Sequence, residues 1–164
     1  MRTLKQIPDN MRRKRMKMDY DHCDEKEYDS PVALSIADIN SFADLGGTVG
    51  SHTLFHPLLD KCEQVTGIDE CQISKITLEK LTGKHVIHFA LPNGNLNEDV
   101  LQWICNAGYQ SCRTTKPGWV NPDTSPFLLP TFGIDDNADT CKAALQACGL
   151  WSLLKTFTPK SAPS

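Results

Sequence analysis

The sequence lacks any apolar run long enough to cross a bilayer, since no stretch approaches the roughly 18 residues that a spanning helix needs. Residues 1–30 contain no apolar signal core, so the default expectation from this chain is a cytoplasmic protein. A net charge of −3 gives no overall attraction to nucleic acid or to anionic membranes. These absences predict that neither a membrane nor a nucleic acid is a partner.

Cysteine occurs seven times but never in a C-x-x-C pair. An odd number without that spacing argues against a complete disulfide framework and against a thiolate zinc site. Cys141 and Cys148, for example, have apolar neighbours at helical spacing. We therefore interpret most of the seven as small buried hydrophobic residues.

Composition divides the chain into three parts. Residues 1–30 carry a basic run, Arg12–Lys17, followed at once by acidic residues, and opposed charge blocks usually stay solvated or form a loose exposed helix. We predict a poorly ordered segment there. The alternative is a nuclear-localisation or nucleic-acid patch, although the adjacent acids would neutralise its field. Residues 31–152 form the predicted domain, and residues 153–164 are predicted to be a disordered tail.

Helix and strand patterns alternate from Ser30 onward, which indicates an α/β domain with a parallel sheet, flat or closed into a barrel. The predicted elements are helices at 35–45, 68–81, 97–107 and 137–151, and strands at 48–51, 86–91, 109–114 and 127–134. Ser35 is the expected N-cap of the first helix. The residues expected to face the core are Ile36, Ile39, Phe42 and Ala43 in the first helix and Ile73, Ile76 and Leu81 in the second.

The sharpest chemical feature is the segment Gly50–Pro57, which follows the first predicted strand and contains His52 and His56. Parallel α/β folds build their sites at the carboxyl ends of strands. Side chains at i and i+4 share one face of a helical turn, so the two imidazoles can converge on one ion. Zinc or a similar divalent metal suits imidazole ligands, whereas the alternative is a chance pairing on a surface helix.

Several segments resemble, in order, the polysaccharide-deacetylase (NodB-homology) family. The stretch TVGSHTLFHPLL resembles its histidine motif, H-[ST]-x-x-H-P after a strand. The stretch HVIHFALPNG resembles the next strand of the family and its P-[YN]-G turn. The similarity continues through NAGY, TTKPGW and the stretch from PFLLP to GIDD, and it covers roughly residues 32–152.

The resemblance implies an irregular (β/α)7 barrel that removes acetyl groups from N-acetylglucosamine-type sugars, which is hydrolysis of a carbon–nitrogen bond other than a peptide bond. It implies that His52 and His56 bind a divalent metal, zinc by preference. An aspartate from the front of the domain would be the third ligand, and an adjacent aspartate the general base. The turn Pro92–Asn93–Gly94 would line the sugar site, so the expected partner is an N-acetylated oligo- or polysaccharide.

The front of the family's domain is not found in this sequence. No apolar strand ending in an acidic pair precedes His52, so the catalytic residues are unknown. Asp135 and Asp136 follow an apolar stretch and are the remaining candidates for ligand or base; otherwise they cap the helix that begins near Asn137. We expect an incomplete (β/α)7 barrel, truncated at its N-terminus and lacking the first strands, whose open sheet edges favour self-association.

Two functions stay open at this point. The first is metal-dependent deacetylation of an N-acetylated carbohydrate, which depends on a carboxylate that the sequence does not reveal. The second is a non-catalytic, truncated relative that binds carbohydrate or a protein partner through the remaining face.

Overall fold

The structure is a computed structural model that describes residues 3–21 and 33–157. Its helices are α1 (Asp9–Tyr20), α2 (Ile36–Asp44), α3 (Gln64–Thr82), α4 (Glu98–Asn106), α5 (Thr140–Ala147) and α6 (Leu150–Phe157). Its strands are β1 (His88–Ala90) and β2 (Ser111–Arg113). Short 3-10 turns lie at Thr3–Lys5, Leu59–Lys61, Pro92–Gly94 and Pro126–Leu128.

The sheet is parallel, as predicted, but smaller than the sequence indicates. β1 and β2 pair with His88 opposite Ser111. Single parallel bridges extend the pair on both sides, from Ser51 to Phe89 and from Arg113 to Leu129. Four segments therefore lie side by side in chain order, and the strands predicted at 48–51 and 127–134 are reduced to one bridge each.

Local backbone chemistry explains both shortened strands. Thr53 has a φ of +68°, so the chain leaves the extended conformation two residues after Ser51. On the other side, Pro130 follows Leu129 directly and has no N–H to continue the ladder.

The core lies between α3, α4 and the sheet. Its buried members are Leu59, Cys71, Val86, Phe89, Leu91, Val100, Trp103, Ile104, Tyr109 and Cys112. Asn97 caps α4 by accepting the N–H of Val100 at 2.9 Å, as the predicted start of that helix requires. Gly67 of α3 allows a close approach, since a Cβ there would lie 2.1 Å from the ring of Trp103.

The inward face predicted for α2 is wrong. Ser35 is the N-cap as predicted, and it forms a capping box with Asp38. Of the four residues expected to face the core, however, only Ala43 is buried, whereas Ile36 and Phe42 are 56% and 54% exposed.

The inward face predicted for α3 is also wrong. Ile73 and Ile76 are 45% and 49% exposed, and the buried residues of this helix are Gly67, Glu70, Cys71 and Ser74. The buried Tyr109 explains the choice of face. Its hydroxyl donates to the carbonyl of Cys71 at 2.9 Å and lies 3.3 Å from the hydroxyl of Ser74. The face of α3 that packs against Tyr109 therefore carries small and polar residues.

Both chain ends are more helical than predicted within the described residues. Asp9 begins α1 and is only 4% exposed, because it accepts hydrogen bonds from Arg12 and Arg13 one turn later. This helix occupies residues 9–20 of the segment predicted to be poorly ordered, and residues 22–30 of that segment lie outside the described residues. α6 extends to residue 157, past the predicted start of the tail at 153.

The final predicted helix, 137–151, is divided in two. Gly149 has a φ of +78° and separates α5 from α6. A Cβ at this position would lie 2.4 Å from the ring of Phe132, so the break also allows close packing.

The interpretation of most cysteines as buried is wrong for three of the described ones. Cys71 and Cys112 are buried and Cys62 is half-buried. The exposed ones are Cys105, Cys141 and Cys148. Cys23 lies outside the described residues. None of the helices in the described ranges combines the length and apolar character that a bilayer-spanning helix requires.

Candidate functional site

The structure brings the two histidines of the motif together on an exposed loop. The ring centroids of His52 and His56 lie 4.8 Å apart, and the ring planes make an angle of 75°. The helical turn predicted for them is wrong, because residues 52–56 are not helical. Instead, Thr53 and His56 have φ values of +68° and +53°, and the rings approach because the chain bends at these two left-handed residues.

Thr53 connects the two histidine residues through the backbone. Its hydroxyl donates to the carbonyl of His52 at 2.5 Å and accepts the N–H of His56 at 3.0 Å. A β-branched residue in the left-handed region is uncommon and costs of order 1–3 kcal/mol, so the surroundings must hold it there.

The ring of His52 is oriented by the first strand. Its Nδ1 lies 2.8 Å from the carbonyl oxygen of Ala90, the last residue of β1. A carbonyl can only accept, so Nδ1 carries the proton and the neutral ring keeps its lone pair on Nε2. Histidines that bind metals usually have this kind of partner on the other ring nitrogen. The tautomer of His52 is therefore one that suits a metal ligand.

The turn predicted to line the sugar site begins two residues after Ala90. Within Pro92–Gly94, Asn93 and Gly94 have φ values of +56° and +74°. The hydroxyl of Thr115 donates to the carbonyl of Asn93 at 3.3 Å, and Nζ of Lys5 donates to its side-chain Oδ1 at 3.0 Å. The contact between His52 and Ala90 thus joins the histidine loop to the strand that leads into this turn.

Sequence reasoning missed one residue that contacts the histidine loop. Glu70 of α3 is 4% exposed, and its Oε2 accepts the N–H groups of Leu54 and Phe55 at 2.8 and 3.0 Å. Its Oε1 accepts Nη2 of Arg13 at 3.1 Å. An acidic residue on a buried helix face indicates a functional or structural contact. Sequence analysis could have found Glu70 in this way only if the buried face of α3 had been predicted correctly.

Comparison with known families matches this chain over the region that contains the histidine loop and the turn. The family described as polysaccharide deacetylase matches residues 26–112, which is more than half of the 164 residues. The chain belongs to the polysaccharide deacetylase family. The matched range includes His52, His56 and Pro92–Gly94, and it ends before Asp135.

Solved structures of the family share its fold. A polysaccharide deacetylase from Bacillus cereus is 27% identical, with a TM-score of 0.62 over 86% of this chain and 48% of that one. A putative polysaccharide deacetylase from Bacillus anthracis is 26% identical, with the same TM-score and coverage. A Streptococcus pyogenes deacetylase in complex with acetate is 23% identical, with a TM-score of 0.65 over 73% and 53%. This chain therefore spans about half the length of these structures. A comparison with curated protein sequences gives no significant match.

Neither candidate acid, Asp135 or Asp136, forms a metal-holding group with the two histidines in the described residues. Oδ2 of Asp135 is 2.6 Å from Nζ of Lys142, and Asp136 is exposed. The capping role expected for the pair is wrong as well, because Asp139 is the N-cap of α5. In residues 3–21 and 33–157, no three His, Cys, Asp or Glu side chains form a group able to hold a metal ion.

The ligand chemistry of His52 and His56 suits the divalent metal that the family implies. His52 and His56 offer imidazole nitrogens, which zinc-type ions accept, and Ala90 fixes the tautomer of one of them. Catalytic zinc sites commonly use three protein ligands, and the described part of the chain brings two together. The residues therefore fit a divalent metal held by two histidines, with the remaining positions available to other ligands.

Proposed function

We propose that this member of the polysaccharide deacetylase family binds a divalent metal, zinc by ligand chemistry, through His52 and His56. The observation that carries the proposal is the hydrogen bond between Nδ1 of His52 and the carbonyl of Ala90, because in the neutral ring it places the lone pair on Nε2, and His56 lies beside that ring. The match of the family over both histidines supports the same conclusion.

The ligand class that we propose is an N-acetylated oligo- or polysaccharide that contacts the Pro92–Gly94 turn. The Bacillus cereus structure, a polysaccharide deacetylase 27% identical to this chain, supports an acetylated polysaccharide. The position of the turn, directly after the strand that orients His52, supports its proximity to the metal ligands. A bound divalent metal would supply Lewis-acid polarisation of the amide carbonyl of such a sugar.

The proposed fold is an incomplete (β/α)7 barrel. The four parallel segments follow one another in chain order, as neighbouring barrel strands do, and the chain matches about half the length of its solved relatives. Hydrolysis also needs a carboxylate to take a proton from the attacking water. Since no acid joins the histidines in the described residues, deacetylation requires an acidic residue from elsewhere.

A second candidate function is a non-catalytic module that binds carbohydrate or a protein partner. The observation that favours it is the ion pair between Asp135 and Lys142, which engages one of the two candidate acids. In this alternative the histidines and the turn bind a ligand without hydrolysing it.

The test measures metal affinity and hydrolysis separately. Zinc is titrated by calorimetry into the wild type, His52→Ala, His56→Ala and the control His85→Ala, whose ring is 96% exposed beside Glu79. We expect zinc binding that falls at least about tenfold in either site variant and is unchanged in the control. Absence of zinc binding by the wild type would contradict the proposal.

Acetate release from N-acetylchitooligosaccharides then distinguishes the two functions. We expect no release from this chain, because the histidines lack an acidic neighbour in the described residues. Binding of the oligosaccharide without release would favour the second function. Release that His52→Ala abolishes would establish the enzyme and would identify a carboxylate outside the described ranges as the next target.

A further inference from the structure

We infer that Glu70 is a positioning residue for the metal-binding histidines and that Arg13 of the N-terminal helix holds Glu70 in place. The inference rests on the proposed metal-binding function, and it assigns roles to two residues outside the histidine motif. It also makes α1, which belongs to a segment that sequence analysis separates from the domain, part of the support of the site.

The first observation is the position of the Glu70 carboxylate. Its Oε2 accepts the consecutive N–H groups of Leu54 and Phe55, which lie between the two histidines in the chain. Hydrogen bonds to an ionised acceptor are roughly twice as strong as neutral ones. The carboxylate therefore fixes the middle of the loop whose two ends carry the imidazoles.

The second observation is that this loop needs external support. Thr53 and His56 both adopt left-handed backbone angles, which non-glycine residues hold only when the surroundings impose them. The bonds of the Thr53 hydroxyl are local to the loop itself, and the bond from His52 joins the loop to β1. Glu70 connects the loop to a core helix, because it belongs to α3 and its side chain is buried there, only 4% exposed.

The third observation is the pairing of Glu70 with α1. Nη2 of Arg13 donates to Oε1 of Glu70 at 3.1 Å, and Nε of Arg13 donates to Oδ2 of Asp9 at 2.6 Å. The guanidinium also lies 5.6 Å from the centroid of the Phe55 ring. A buried carboxylate is costly to leave without its cationic partner. Arg13 is therefore the cationic partner of the buried Glu70 side chain and also lies over the Phe55 ring of the histidine loop.

A merely structural role for Glu70 is the alternative, and Glu79 gives a matched control for it. Glu79 lies on the same helix and also accepts a backbone N–H, from Val86 at 3.0 Å, but it does not contact the histidine loop. Glutamine at either position keeps the size of the side chain and removes the charge. Arg12 is the corresponding control for Arg13, because it bonds to Asp9 at 2.6 Å without the contact to Glu70.

The experiment uses the full chain and two readouts. Amide hydrogen exchange at Leu54 and Phe55 is measured by NMR without metal, and zinc affinity is measured by calorimetry. We expect Glu70→Gln to speed exchange at both amides roughly tenfold and to weaken zinc binding about 10-fold, the lower end for partners that orient metal ligands. Glu79→Gln should change neither. Arg13→Gln should weaken zinc binding several-fold, and Arg12→Gln should not.

The outcomes separate the two proposals. Unchanged exchange and unchanged zinc affinity in Glu70→Gln, with a wild type that binds zinc, would overturn the positioning role. A wild type that binds no zinc would contradict the proposed function, while faster exchange at Leu54 and Phe55 in Glu70→Gln would still show that Glu70 holds the loop. If Glu70→Gln does not fold, as judged by circular dichroism, the comparison of Arg13→Gln with Arg12→Gln decides the question.

Discussion

Replacement of Gly94 by alanine tests the geometry of the turn beside the histidine loop. Gly94 has a φ of +74°, and a Cβ there would lie 2.0 Å from Oγ1 of Thr115 and 2.8 Å from its Cβ. Gly83 is a matched control, since its φ is +65° and nothing lies within 4 Å of its added Cβ. The left-handed backbone conformation lowers the unfolding free energy of either alanine variant, Gly94→Ala or Gly83→Ala, by about 1 kcal/mol. The overlap with Thr115 adds about 1–3 kcal/mol at Gly94 only.

Urea unfolding followed by circular dichroism measures the difference. We expect Gly94→Ala to lose about 2–4 kcal/mol of unfolding free energy and Gly83→Ala to lose about 1 kcal/mol. Combining Gly94→Ala with Thr115→Gly removes the overlapping side chain, so the double variant should lose less than the two single variants together. Equal losses at Gly94 and Gly83, or strict additivity with Thr115→Gly, would refute the packing described for this turn.

Two further predictions concern the core. Burial raises the pKa of the Cys71 and Cys112 thiols to about 12, so at pH 8 only about 10⁻⁴ of each is the reactive thiolate. A short iodoacetamide pulse, analysed by peptide mass spectrometry, should first label the exposed thiols, Cys105, Cys141 and Cys148, and early labelling of Cys71 would contradict the fold. Tyr109→Phe removes the hydroxyl that donates to the carbonyl of Cys71 and should lower the unfolding free energy by about 1 kcal/mol. No change in the urea midpoint would indicate that this buried hydrogen bond is absent.

Features decided by a few neighbouring residues could be predicted from the sequence. The caps at Ser35 and Asn97 are examples, because each is a contact between a side chain and a backbone N–H three residues later. The parallel order of the sheet follows from the alternation of helices and strands. The family was also predictable, since its histidine motif and its turn are each short runs of consecutive residues in the chain.

Features decided by distant contacts were predicted wrongly. The inward face of α3 depends on Tyr109 and Trp103, which are remote in sequence and require small or polar residues opposite them. The helical turn expected at His52 and His56 gave way to a loop with left-handed Thr53, because Glu70 binds the loop from another element. Periodicity alone cannot reveal such a contact.

The helix α1 shows the same limit for charged segments. Alternating charge blocks predict solvation when each charge is taken alone. In the structure, Asp9 and Glu70 accept bonds from Arg12 and Arg13, so part of the basic run is paired with buried acids. Only the position of Glu70, more than fifty residues later, distinguishes this arrangement from an exposed helix.

X-ray absorption at the zinc edge shows directly whether His52 and His56 bind the metal. We expect the spectrum of the zinc-loaded wild-type chain to contain scattering from two imidazole rings, and we expect one of them to be lost in both His52→Ala and His56→Ala. A zinc ion coordinated by sulfur, or one without imidazole scattering, would show that the two rings were not brought together to bind a metal.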